Sequence, residues 1–113
     1  MLSDFPSKNC PDCHAANVQA LDALSIEAHL QQLGERWALT PNRDAISASF
    51  QFKNYWETTA FVQAVTFIAH REDHHPDITF GYNSAQIRYS THSVGGITES
   101  DFWCALLIEQ LLA

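Results

Sequence analysis

Positive charge is scarce in this sequence. The 113 residues include six Lys and Arg against thirteen Asp and Glu, which gives a formal net charge of −7. A protein that binds nucleic acid regardless of its sequence needs clustered Lys and Arg to displace counterions from the phosphates. The basic residues here are few and scattered. We therefore exclude a nucleic-acid partner and a basic membrane-binding face.

Long apolar runs and an even set of cysteines are also missing. No stretch approaches the roughly 20 apolar residues that span a bilayer. The first residues, MLSDFPSKNC, lack the basic start and the apolar run of a secretory signal. Three cysteines, an odd number, do not make a disulfide framework. These absences predict a cytoplasmic protein with no membrane partner.

The sequence does have enough apolar material for one core. Hydrophobic residues make up 46% of the chain, and its length is near the commonest size of a single domain. Residues 1–20 are polar and irregular, which predicts a flexible N-terminal arm. Residues 21–113 carry the periodic patterns of secondary structure and are predicted to form the one folded domain.

Two segments have the apolar spacing of amphipathic helices. In the first, Ser25 is the predicted N-cap and Gly34 is suited to the left-handed stop after the last turn. The second begins at Asn54, with Glu57 three residues later as in a capping box. Their apolar stripes consist of Ile26, Leu30 and Leu33 in the first helix and Phe61, Ala64, Val65 and Ile68 in the second.

A third helix is predicted at the C-terminal end by the clearest local pattern in the chain. Thr98 is its N-cap and Asp101 completes a capping box, while Ile97 and Phe102 can form a hydrophobic staple. Cys104, further along this helix, is predicted to lie in the core.

Four further segments alternate between apolar and polar residues, as half-buried strands do. They cover residues 37–39, 46–52, 78–82 and 85–91, with turns at 41–44 and 83–84. The resulting order, α-β-β-α-β-β-α, predicts an α+β fold in which three helices cover one face of a four-stranded antiparallel sheet. Tyr82 and Tyr89 could either stack on a planar ligand or fill half-buried strand positions.

Three of the six histidines lie close to the ends of the last two predicted strands. His74 and His75 precede Pro76 at the start of the third strand, and His92 ends the fourth. If these strands pair through their short turn, the three histidines converge at one rim of the sheet. Polar strand ends, a metal site and an acid–base site are all compatible with that placement.

Acid–base chemistry is favoured among these alternatives. Neighbouring side chains in extended chain point in roughly opposite directions, so His74 and His75 diverge. A zinc site needs three or four ligands around one point, and no cysteine lies nearby, so we predict no metal. Histidine exchanges protons near neutral pH. A carboxylate such as that of Asp73 could orient an imidazole.

The run HREDHHPDITFGYNSAQIRYSTHSVGGITESD resembles the signature of the pterin-4a-carbinolamine dehydratases. The matching positions are His74, His75 and Pro76, then Tyr82, then Thr91 and His92, then Gly96, Ile97 and Thr98, and finally Asp101. The similarity extends from about Leu24 to Leu112. Two positions depart from the family pattern: His70 stands where many members have a glutamate, and Ile78 replaces a tryptophan of animal members.

The resemblance implies a fold, an activity and a set of site residues. The fold is a four-stranded antiparallel sheet with three helices. The activity is dehydration of 4a-hydroxytetrahydropterin to quinonoid dihydropterin without a further cofactor, in the recycling pathway of the aromatic amino acid hydroxylases. His74 and His92 would exchange protons, His75 would orient the pterin, and Asp101 would support the site. The implied substrate-binding set is Asp73, His74, His75, Pro76, Thr91, His92, Ser93 and Val94.

The resemblance also implies a homodimer or homotetramer and leaves other functions open. Relatives include a transcription cofactor and an assembly factor of the carbon-fixing enzyme, so a non-catalytic interaction module on the same fold is the alternative. Presence of all three histidines favours the enzyme. The segment Cys10-Pro-Asp-Cys13-His14 matches the haem-attachment pattern. Because haem attachment requires export and no signal is seen, we favour a flexible arm with reactive thiols, and a zinc site completed by another subunit is the alternative.

Overall fold

The computed structural model describes residues 18–113, which form three helices and one four-stranded antiparallel sheet. The elements are α1 (Ala23–Leu33), β1 (Trp37–Leu39), β2 (Ile46–Gln51), α2 (Tyr55–Glu72), β3 (Asp77–Phe80), β4 (Ser84–Tyr89) and α3 (Glu99–Leu112). The predicted fold class and element order are confirmed. Most of the predicted arm, with Cys10, Cys13 and His14, lies outside the described residues.

The strands follow the order β1-β2-β4-β3 in the sheet. The pairing of β3 with β4 sets Asp77 opposite Arg88 and Phe80 opposite Ala85. The residues just before β3 and just after β4 therefore lie at the same end of the sheet. This register explains why segments 73–76 and 90–93 meet in space.

One face of the sheet is buried beneath the helices. On β4, Ala85, Ile87 and Tyr89 are at most 2% exposed, whereas Gln86 and Arg88 on the opposite face reach solvent. The alternation of apolar and polar residues in the sequence of β4 therefore predicts correctly which of its side chains are buried. The buried apolar cluster also includes Phe61, Val65 and Ile68 from α2 and Phe102, Cys104, Ala105 and Ile108 from α3. The core position predicted for Cys104 is confirmed.

The predicted start of α1 is wrong by three residues. Asp22 is the N-cap, and its Oδ1 accepts a hydrogen bond of 2.8 Å from the backbone N–H of Ser25. That bond, followed by one from the Ser25 hydroxyl, lowers the pKa of Asp22. The apolar spacing begins only at Ile26 because Leu24, in the first turn, is 79% exposed. The helix ends at Gly34 as predicted, but its φ of 113° and ψ of 174° lie outside the left-handed helical region that was expected.

The predicted starts of α2 and α3 are confirmed. The Asn54 Oδ1 accepts a hydrogen bond of 2.9 Å from the N–H of Glu57. The Glu57 carboxylate reaches back one residue further than predicted, to the N–H of Lys53 at 3.0 Å. In α3, Thr98 and Asp101 form the reciprocal capping box.

Both strands near the histidines end earlier than predicted. Strand β3 stops at Phe80, so Tyr82 lies in the turn and is 65% exposed. Strand β4 stops at Tyr89, so His92 does not end a strand. It lies instead in a tight turn closed by a bridge between Thr91 and Gly96, and the alternating pattern continues into this turn because Thr91 is buried.

Candidate active site

The end of α2 turns the chain sharply and directs His74 inward. Asp73 caps the helix in the left-handed conformation, with φ of 55° and ψ of 41°. The backbone N–H of His74 then donates to the carbonyl of Ala69 at 3.1 Å. An aspartate tolerates this conformation better than most residues with a Cβ. The sequence Asp-His-His-Pro thus combines a helix stop with a strand entry.

His74 is buried and held on two sides. Its Nε2 lies 2.5 Å from the Oδ1 of Asp101, and its ring stacks on Tyr89 with centroids 5.5 Å apart and planes inclined by 16°. The side chain is 6% exposed. With Asp101 ionised, this bond places a hydrogen on Nε2 and selects the tautomer of the neutral imidazole.

Asp101 itself is fully buried and its second oxygen also accepts hydrogen bonds. Oδ2 accepts from the Thr91 hydroxyl at 2.9 Å and from the backbone N–H of Thr98 at 2.8 Å. The hydroxyls of Thr91 and Thr98 lie 2.8 Å apart. A buried carboxylate is tolerated when such donors compensate its lost hydration. The helix cap and the histidine support are therefore the same group.

His75 and His92 lie on the exposed side of the site. Their rings meet edge to face, with centroids 6.4 Å apart and planes at 83°. His92 is presented by the tight turn, where Gly95 has φ of 65° and its N–H donates to the His92 carbonyl at 3.2 Å. His74 and His75 thus point to different surroundings, as predicted from their adjacency in extended chain.

These groups surround a cavity of about 280 Å³ at the rim of the sheet. It is lined by Asp73, His74, His75, Ser90, Thr91, His92 and Ser93. The structure therefore brings the three histidines together, as the sequence predicts. Pro76 and Val94 are not among the lining residues, and the substrate contact assigned to them stays a prediction.

Comparison with known proteins gives a consistent family assignment. The sequence model of the family described as "Pterin 4 alpha carbinolamine dehydratase" matches residues 19–111. A relative from Nitrosomonas eutropha is 43% identical over 111 residues, covering 98% of this chain and 96% of its own. One from Legionella pneumophila strain Corby is 42% identical over 112 residues, covering 99% and 98%. Both carry provisional names as pterin-4-alpha-carbinolamine dehydratases.

The chain belongs to the pterin-4a-carbinolamine dehydratase family.

Solved structures agree with the dehydratase fold. A Brucella melitensis protein described as a transcriptional coactivator/pterin dehydratase is 29% identical, with a TM-score of 0.79 over 83% of this chain and 99% of its own. A pterin dehydratase-like protein, described as a RuBisCO assembly factor of the alpha-carboxysome, is 21% identical. Its TM-score is 0.60 over 70% and 92% of the two chains. The second similarity bears on the fold alone.

Two contacts in this candidate site were not expected from the sequence. Asp101, which the resemblance implied only as a supporting residue, is the carboxylate that contacts the His74 ring, whereas orientation of an imidazole was predicted for Asp73. The assignment to Asp73 stays a prediction. Thr98 was predicted as a helix cap and as one position of the family signature, not as a hydrogen-bond partner of Thr91. The capping box at 98–101 was the available signal, since it fixes the carboxylate next to the Thr91–His92 turn.

Within residues 18–113, no three His, Cys, Asp or Glu side chains are grouped so that they could hold a metal ion. No helix in the same range is both long and apolar enough to cross a membrane. The motif of Cys10, Cys13 and His14 falls outside it.

Proposed function

We propose that this protein dehydrates 4a-hydroxytetrahydropterin to quinonoid dihydropterin and water. The observation that carries the proposal is the support of His74 by a buried aspartate inside a cavity shared with His75 and His92. Membership of the dehydratase family agrees with it. The reaction breaks the C4a–O bond, removes the N5 proton and forms the C4a=N5 double bond.

We assign the two proton transfers to His74 and His92. One group must protonate the departing hydroxyl, and another must accept the N5 proton. Because Nε2 of His74 is bonded to Asp101, its exchange with substrate would use Nδ1. His75, exposed beside His92, would chiefly bind and orient the pterin. Backbone groups of 91–94 would contact the ring.

The proposed setting is tetrahydropterin recycling for an aromatic amino acid hydroxylase, carried out by a homodimer or homotetramer. The hydroxylase reaction yields the 4a-hydroxy compound that this site would consume. Helices cover one face of the sheet and both β1 and β3 are edge strands, which favours association of identical subunits.

A coupled assay tests the proposal, with 4a-hydroxytetrahydropterin generated in situ. We expect His74→Gln to lower kcat by about 100- to 10,000-fold, the usual contribution of one acid–base group. His29→Gln serves as the matched control, since His29 lies on α1 with its Nδ1 donating to the carbonyl of Ser25 at 2.6 Å. A folded wild-type protein that leaves the uncatalysed rate unchanged would refute the enzyme and favour the interaction module.

A further inference from the structure

A second buried carboxylate lies behind the cavity. Glu72, the last residue of α2, is 2% exposed and does not line the cavity. Its Oε1 accepts a hydrogen bond of 3.2 Å from the indole Nε1–H of Trp103 on α3. Its Oε2 accepts one of 2.8 Å from the Nε–H of Arg71. Burying a carboxylate is costly unless such donors replace its water.

The bond from Glu72 to Trp103 joins the same two segments of the chain as the bond from His74 to Asp101. Glu72 precedes His74 by two positions on one segment, and Trp103 follows Asp101 by two positions on the other. Two side-chain bonds thus join the end of α2 to the start of α3. The bond to Asp101 holds the reacting imidazole of His74, and the bond between Glu72 and Trp103 holds the backbone segment that carries that imidazole.

We propose that Glu72 is a positioning residue for the dehydration, acting through His74. The inference rests on the proposed function. Between Glu72 and His74 the chain passes through the left-handed residue Asp73, where a small change of dihedral angle displaces the imidazole. The bond to Trp103 fixes the chain just before that point. A misplacement of about 1 Å at a reacting group can cost about 100-fold in rate.

The chain offers a matched control at the other end of α3. Glu109 accepts a hydrogen bond of 3.0 Å from the indole Nε1–H of Trp37, and the Nε of Arg36 lies 3.6 Å from the same oxygen. The chemistry is the same as at Glu72, including an arginine adjacent in sequence to one partner. Glu109 does not line the cavity. Glu109 is less buried, at 24% exposed against 2% for Glu72, so a purely structural role would lower the melting temperature of both variants without a selective loss of kcat at Glu72.

The test compares Glu72→Met, Glu72→Gln and Glu109→Met. Methionine removes the acceptor at nearly the same volume, whereas glutamine keeps an oxygen for the indole. We expect Glu72→Met to lower kcat by roughly 10- to 100-fold with little change in KM, because the misplaced group acts in the transition state. Glu72→Gln should restore kcat to within about threefold of wild type. Glu109→Met should lower the melting temperature and leave kcat near the wild-type value.

Nuclear magnetic resonance of the His74 ring supplies a readout that does not need activity. The proton and nitrogen resonances of the His74–Asp101 hydrogen bond should move in Glu72→Met and return in Glu72→Gln. They should not move in Glu109→Met. If the wild type has no dehydratase activity, the proposed function fails, and these resonances still decide whether Glu72 positions the ring.

Two results would overturn the proposal. One is a folded Glu72→Met protein with wild-type kcat and unmoved His74 resonances. The other is an equal loss of kcat in Glu109→Met. Should Glu72→Met fail to fold, Trp103→Phe removes only the indole donor, and the same two readouts on that variant decide the question.

Discussion

Replacing Asp101 by asparagine tests the central hydrogen-bond network in a directed way. Oδ2 accepts from two groups, one of which, the backbone N–H of Thr98, cannot reverse its role. An amide NH2 at that position would leave this buried donor unpaired, at a cost of about 1–3 kcal/mol. The NH2 group should therefore face His74. There it faces Nε2 of His74, which carries a hydrogen in the wild type. Two donors would then oppose each other, so His74 must change its tautomer and carry the hydrogen on Nδ1.

The size of the effect follows from this change of tautomer. The charge-assisted bond between Asp101 and His74 is replaced by a neutral one, which should lower the free energy of unfolding by about 1 kcal/mol. The change in activity should be much larger. Because Nδ1 is the atom assigned to proton exchange with the substrate, moving the hydrogen of neutral His74 to Nδ1 reverses what that atom can do, and kcat should fall by about 100- to 10,000-fold.

The measurements are the coupled dehydration assay, thermal unfolding and the ring nitrogen resonances of His74. Asp77→Asn is the matched control, because it makes the same chemical change at a carboxylate that is 65% exposed and 3.3 Å from Arg88. An exposed pair of this kind contributes about 0–1 kcal/mol. If Asp101→Asn keeps the His74 tautomer, or retains kcat within about threefold of wild type, the reasoning about this network is wrong.

Four further outcomes are expected. His92→Ala should lower kcat strongly, whereas His75→Ala should mainly raise KM; near-normal turnover in the first would reverse the assigned roles. Activity should survive a chelator, and loss that added zinc restores would contradict the metal-free site. Sedimentation at micromolar concentration should show a symmetric oligomer, and a profile of monomer alone would disprove it. Gly95→Ala should lower the free energy of unfolding by about 1–2 kcal/mol, because an alanine there must adopt a left-handed conformation. Its control is Gly81→Ala, at a position where the added Cβ has open space and φ is not positive.

Much of the fold could be predicted from local sequence patterns, because each helix cap and helix stop depends on residues that are close to it in the chain. The caps at Asn54 and Thr98 and the stop at Gly34 involve groups within a few positions of one another, and all three are confirmed. Ser25 failed as a cap because the apolar stripe of α1 starts only at Ile26, and Leu24 in the first turn is exposed and lies off that stripe.

From the sequence patterns, only those parts of the site could be placed together that the pairing of the last two strands brings to one end of the sheet. Pairing of the last two strands is enough to bring the segments of His74 and His92 to one rim. The contact of His74 with Asp101 depends on how α3 packs against the end of α2, and periodicity carries no information on that packing. The same holds for Glu72 and Trp103, whose contact spans 31 positions. A buried glutamate at a helix end has the same sequence signal as an exposed one.

The sharing of Asp101 between the helix cap and His74 has a dynamic consequence. Helix termini are where native proteins open locally at the lowest free energy. When the first turn of α3 frays, the Thr98 N–H leaves the Asp101 carboxylate and that carboxylate is no longer fixed beneath the imidazole. Hydrogen exchange of the Thr98 amide therefore reports the fraction of molecules in which His74 is unsupported. Conditions that raise this open fraction should lower turnover by the fraction of molecules in which the bond is open, below the temperature at which the whole domain unfolds.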